Sequence, residues 1–277
     1  MIEDILKDLR QKADDRFADF EIEDVGSISE IYEDSYLEKP VWLGGDSKYV
    51  CLFIDLDKSS KMSFKKHPST MAKIYDYFTQ TLIDVLSQES IHAEYVDIKG
   101  DGAFGIFEGE DAAFRALSAA LTFGTFFKKY IRPKFQTASD TINFKATIHV
   151  DKILVKRIGT RGPRNNNEVW AGRLINKAAK LGLATRHIYS QDPAFDSSKL
   201  SLLIISQEIL DIFQTKREYA VMHCGHDIHG GVAPYASPLW VGFDSTDIED
   251  LDEDAVYYAP GLWCDICQDK VNESLLS

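Results

Sequence analysis

The sequence predicts an α+β domain built on a β-α-β-β-α-β core of ferredoxin-like topology. Three observations carry that expectation. Residues 49–54 (YVCLFI) form an unbroken apolar run, the pattern of a strand covered on both faces. Residues 67–88 and 111–130 repeat apolar side chains at helical spacing. Between those helices, 94–98 and 103–107 read as short strands joined by the glycine-bearing turn KGDG.

At the N-terminus, residues 2–20 place Ile2, Ile5, Leu6, Leu9, Ala13 and Phe20 on one stripe. This predicts an amphipathic helix packed on the core, with a partner subunit as the alternative. Residues 21–48 are acidic and irregular, and with Lys39, Pro40, Gly44 and Gly45 they read as a linker. The strand at 49–54 then delivers Asp55 at its end. The helix over 67–88 turns Met71, Ile74, Phe78, Leu82, Val85 and Leu86 inward, and the hairpin presents Asp101 at its tip. A second helix over 111–130 buries Ala113, Leu117, Ala120, Leu121 and Phe127. Strands follow at 142–149 and 151–158, then the polar loop GTRGPRNNNE, a third helix over 170–183, and strands at 186–190 and 201–205. Ser206 is placed to cap the segment QEILDIF. The helices are expected on one face of the sheet. The expected division is an N-terminal helix and linker (1–47), a main domain (48–215) and a C-terminal extension packed on it (216–277).

Composition narrows the function classes. At 277 residues and 44% hydrophobic content the chain can bury one large core. Its 31 basic and 44 acidic residues leave a net charge of −13, without the basic footprint of a nucleic-acid binder. The opening MIEDILKDLRQK carries acids where a secretion signal needs bases, and no apolar run reaches the roughly 18–20 residues of a membrane span. The expectation is a soluble cytoplasmic protein. The four cysteines, Cys51, Cys224, Cys264 and Cys267, are too few for a disulfide scaffold, and Cys51 lies inside the apolar strand. The acidic stretch 244–254 reads as a solvated loop.

Chemistry concentrates at Asp55 and Asp101, two carboxylates at neighbouring strand ends. Hard cations such as Mg²⁺ and Mn²⁺ take one or two protein carboxylates and complete their shell with water and substrate phosphates. The pair therefore suits phosphoryl transfer from a nucleotide; taken singly, each acid could equally serve its own turn.

The strings FIDLDKSS, KGDGAFGIF, KATIHV and VWAGRLINKAAKL stand in the order and approximate spacing of the class III nucleotidyl cyclase domain, which the chain resembles over roughly residues 48–206. The GGD at 44–46 resembles a diguanylate cyclase signature, but it lacks the following Glu and Phe and is set aside. The class III resemblance implies that Asp55, the carbonyl of Leu56 and Asp101 hold two metal ions, Mn²⁺ or Mg²⁺, at each site. It implies that Asn176 positions the ribose and that Lys180, one turn later, takes the place of the usual arginine. An ammonium does not reproduce the planar donor fork of a guanidinium, so this is a real departure. It further implies a homodimer with sites at the interface, because the carboxylates and the Asn/Lys helix come from opposite subunits in the family.

In such cyclases the base is read four residues before the second metal aspartate, by Lys for adenine and Glu for guanine. Here that position is Asp97, which accepts hydrogen bonds only and could take one from uracil N3–H or from the cytosine amino group. The partner position, expected at the start of the third helix, holds Val169 beside Trp170. With the late GLWC at 261–264, the pattern is similar to the pyrimidine cyclases of the bacterial Pycsar antiphage system. That similarity implies UTP as substrate and cyclic UMP as a signal to a separate effector protein. A cytidylate cyclase is the nearest alternative, followed by an adenylate cyclase and a nucleotide-binding regulator without activity. Arg161 and Arg164, on the loop before the third helix, could reach a triphosphate. Cys224, His229, Cys264 and Cys267, with His226 nearby, offer enough ligands for a structural zinc.

Overall fold

The computed structural model describes residues 2–18, 21–33, 42–136, 142–159, 166–191, 202–215, 240–249, 251 and 255–259. Two compact units emerge, Met1–Ser47 with Lys152–Gly172, and Lys48–Asp151 with Arg173–Ser277. The described elements run α1 (Ile2–Ala18), β1 (Ile22–Asp24), α2 (Ile28–Glu33), β2 (Trp42–Leu56), α3 (Ser59–Lys65), α4 (Pro68–Leu86), β3 (Tyr95–Lys99) and β4 (Gly102–Phe107). Next come α5 (Ala112–Phe126), a π-helical turn (Phe127–Ile131), α6 (Arg132–Phe135), β5 (Phe144–Gly159), β6 (Asn166–Ala171), α7 (Arg173–Leu181) and α8 (Ala184–Gln191). The last are β7 (Leu202–Ser206), α9 (Gln207–Thr215), β8 (Val241–Asp244) and β9 (Ala255–Ala259).

In the first unit, β1 pairs in parallel with the start of β2, and β6 pairs antiparallel with the end of β5. The expected linker is thus partly sheet. Gly44 and Gly45 lie inside β2, where a Cβ on Gly45 would come within 3.0 Å of the Val25 carbonyl. These glycines permit close backbone approach, which composition alone cannot distinguish from a loop. Helix α1 forms where expected but buries none of its residues, with Ile2 74% and Leu9 53% exposed. It is not packed on the core as its stripe suggested; side-chain bonds such as Lys12–Asp8 and Gln11–Asp15 brace it locally.

In the second unit the strands lie in the order β3-β4-β2-β5-β7-β9-β8. The first four positions reproduce the ferredoxin-like order expected from the sequence. Val50, Leu52, Ile54 and Leu56 of β2 and Ala146, Ile148 and Val150 of β5 pack in one core with Ile74 and Phe78 of α4 and Leu117 and Phe123 of α5. Phe144 meets Phe123 at 5.2 Å and Phe127 at 4.9 Å between ring centroids, an edge-on aromatic cluster. A second core joins Leu181, Ala184 and Ile188 to Leu202 and Ile204, whereas Leu203 and Ile205 belong to the first. Helices therefore cover both faces at β7, a correction to the one-sided expectation that the uninterrupted LLIIS run explains.

Three further boundaries differ. Residues 144–159 are one strand and not two, with Asp151 inside it and met by Arg173 at 3.2 Å. The segment 186–190 is helical within α8, since Ala184, Thr185 and Ile188 bury one helical face. Ser206 closes β7 with its Oγ buried and unbonded, so it does not cap α9. Among the described residues no helix is long and apolar enough to cross a membrane.

Candidate active site

Asp55 ends β2 on the face turned away from α4 and α5, because its neighbours Ile54 and Leu56 point into that core. Its pairing partner in β4 is Gly102. A Cβ at Gly102 would fall 2.5 Å from the Ile54 carbonyl and 3.0 Å from Asp55 Cα, so only glycine lets the strands approach this closely. Lys99 pairs with Gly102, leaving Gly100 and Asp101 as a two-residue hairpin loop. Gly100 has φ +64°, the left-handed conformation wanted at the first position of a type II′ turn. The glycines thereby set Asp101 beside Asp55.

Burial raises the Asp55 carboxyl above its ordinary value; Lys145 pulls the other way, and the adjacent Asp101 adds to the rise. Lys145 Nζ stands 2.9 Å from Asp55 Oδ2. Two partly buried carboxylates side by side repel unless positive charge joins them, which is the donor chemistry a hard cation satisfies. Leu56 is 1% exposed, and its anchored side chain fixes the carbonyl beside Asp55. Among the described residues no group of three or more His, Cys, Asp or Glu could hold a metal ion. The charge of Asp57 adds to the rise that burial gives the half-buried Tyr189 phenol on α8.

Helix α7 crosses the same face as Asp55: Thr147 Oγ1 donates to the Ala178 carbonyl at 2.6 Å. Leu174, Ile175, Ala178 and Leu181 bury its inner side, so Asn176 and Lys180 stand together on the exposed side. No hydrogen bond or ion pair among the described residues joins them to Asp55 or Asp101. Asp97 lies on β3 opposite Phe104, with Oδ2 2.5 Å from Lys99 Nζ. Val169 and Trp170 lie on β6, paired with Lys156 and Val155, and not at a helix start as expected. Val169 is 37% exposed and Trp170 is buried. Arg161, Arg164, Cys224, His226, His229, Cys264 and Cys267 lie outside the described residues.

No protein-family model matches the chain. It is 29% identical over 271 residues, 96% of its length, to a uridylate cyclase of Propioniciclava tarda, spanning 77% of that protein. A uridylate cyclase of Micromonospora echinofusca is 33% identical over 142 residues, 50% of this chain and 46% of its own. Among solved structures, the adenylyl cyclase CyaB from P. aeruginosa superposes with a TM-score of 0.51 at 14% identity, over 76% of this chain and 93% of that one. The guanylyl cyclase Cya2 gives 0.52 at 14% identity, over 78% and 92%. The chain has the fold of these cyclase domains, and over nearly its whole length its sequence is similar to that of a uridylate cyclase.

Several residues at or near this candidate site escaped sequence reasoning. Lys145 was legible only as a charge in the apolar strand KATIHV, two residues before Thr147 on the same face. Gly102 was visible as a turn residue, but its close approach to Ile54 depends on pairing with β2. His149 reads as an ordinary strand residue, yet it is 2% exposed with neither ring nitrogen hydrogen-bonded. Burial, reinforced by Lys177, pushes its pKa down to about 4 against the pull of Asp151.

Proposed function

We propose that this cyclase converts UTP to 3′,5′-cyclic UMP and pyrophosphate at a site where Asp55, the Leu56 carbonyl and Asp101 hold two divalent cations, Mn²⁺ or Mg²⁺. The observation that carries the reading is the carboxylate pair joined across Gly102. The names of the two sequence relatives support uridine as the base. Cations held there supply charge that eases loss of the ribose 3′-proton and departure of pyrophosphate. Asp97 stands ready to accept the uracil N3–H, with Lys99 holding its carboxylate in place.

Asn176 and Lys180 complete the site from a second copy of the chain, Asn176 on the ribose and Lys180 toward the α-phosphate. Their exposed position on α7, without a bond to Asp55 or Asp101, supports a two-fold dimer with two equivalent sites. By its likeness to the Pycsar cyclases, the product is read as a second messenger for a separate effector in antiphage defence.

Asp55→Asn and Asp101→Asn test the assignment through pyrophosphate release from UTP with Mn²⁺. Each is expected to lower turnover by about 100-fold or more. Burial raises the folded-state pKa of Asp55, so its favourable contribution is present below the ordinary carboxylate range and lost as pH rises through the raised value. Removing that charge should leave the neutral-pH melting temperature unchanged or higher. Retained turnover in either variant would refute the carboxylate assignment.

A further inference from the structure

Strand β5 sends a lysine to the carboxylate that the proposed function gives to cations. Lys145 Nζ lies 2.9 Å from Asp55 Oδ2, with the two side chains 29% and 20% exposed. The lysine stem is confined as well, since a Cβ on Gly182 would come within 3.2 Å of Lys145 Cδ and 3.4 Å of Cε. Thr147, two residues on and on the same face, ties the strand to α7 through the Ala178 carbonyl. The ammonium is therefore carried on a fixed strand and a packed stem, unlike a surface lysine swinging in water. Asp101 adds a second carboxylate beside Asp55. One positive charge thus meets Asp55 where a second acid lies beside it, in the ground a divalent cation would take.

The geometry points to Lys145 as a built-in counter-ion of the carboxylate pair, which holds Asp55 while no cation is bound and must release Asp55 Oδ2 when a divalent cation loads. This rests on the reading of Asp55 and Asp101 as cation ligands. A hard cation sits about 2.0–2.2 Å from a carboxylate oxygen, inside the position of the ammonium, and the two positive charges repel. Lys145 therefore sets a threshold on cation affinity and leaves an ammonium released beside the site each time it fills. It acts through Asp55 and is a positioning residue.

The test is Mn²⁺ titration of the nucleotide-free full chain, read from the paramagnetic signal of free Mn²⁺. Lys145→Met keeps the stem against Gly182 and removes the charge, so it is expected to bind Mn²⁺ about tenfold more tightly. Lys145→Arg keeps the charge and should stay within about twofold of the unmodified chain. Equal or weaker binding by Lys145→Met, or tightening by Lys145→Arg as well, overturns the inference. In the unmodified chain, the NMR signal of the Lys145 ammonium should shift or broaden on addition of Mg²⁺, and a signal that stays unchanged also overturns it. Asp55→Asn separates the two levels. If that variant binds Mn²⁺ as the unmodified chain does, the cation reading itself falls; if it loses binding while Lys145→Met is unchanged, only the counter-ion is lost.

Discussion

His149 shows how burial at a single residue becomes a property of the whole fold. Its imidazole is 2% exposed, and its pKa falls from 6.5 to about 4, chiefly through burial. A depressed base contributes stability that is fully present above the unfolded value and is lost as pH falls through the folded one. Between pH 6.5 and 4 the unfolded chain takes up a proton that the folded chain refuses, worth about 3 kcal/mol at most. Melting temperatures at pH 7.5 and pH 5 should therefore differ less in His149→Phe than in the unmodified chain. An equal difference in both would show that His149 stays neutral for no energetic consequence. Asp151, Arg173 and Lys177 surround the ring by charge, and they were invisible as a group because they come from β5 and α7.

At the scale of elements, the β3–β4 hairpin does the most to build the site, through backbone and not side-chain chemistry. Gly102→Ala places a methyl where the Ile54 carbonyl already stands, so β2 and β4 must part by several tenths of an ångström. The variant should fold, since the first core lies on the other face, but lose about tenfold or more in turnover on UTP as Asp101 moves from Asp55. Full activity in Gly102→Ala would disconnect hairpin geometry from catalysis. The elements carrying both aspartates were legible because their signals are local: an unbroken apolar strand, a glycine turn, and helices with strict apolar spacing. The rest was not, for identifiable reasons. Gly44 and Gly45 weaken any strand signal although β2 runs through them, and RHIYS favours a strand until Ile188 packs beside Leu181 and Ala184. In α1 the stripe is real, but periodicity reports which side chains share a face and not what covers it.

For the whole molecule, the proposed chemistry takes Asn176 and Lys180, on the exposed side of α7, from a second copy of the chain. Mixing Asp101→Asn chains with Asn176→Ala chains makes the case testable. In a mixed dimer one site combines both defects and the other has neither, so random reassortment should restore about a quarter of the unmodified activity. Activity no greater than the sum of the two separate variants would place the complete site within one chain. The departure at Lys180 belongs to this scale too. In the proposed site the Lys180 ammonium is a point charge, so orientation of the α-phosphate would fall more heavily on the cations than a guanidinium fork requires.

The measurement that bears most directly on the central claim is product identification. The purified chain is incubated with Mn²⁺ and each of ATP, GTP, CTP and UTP, and the products are identified by mass and by their chemical shifts. The account predicts 3′,5′-cyclic UMP from UTP as the main product, with the other three nucleotides turned over little. Cyclisation of a purine nucleotide in preference to UTP, or no cyclic product from any of the four, would contradict it.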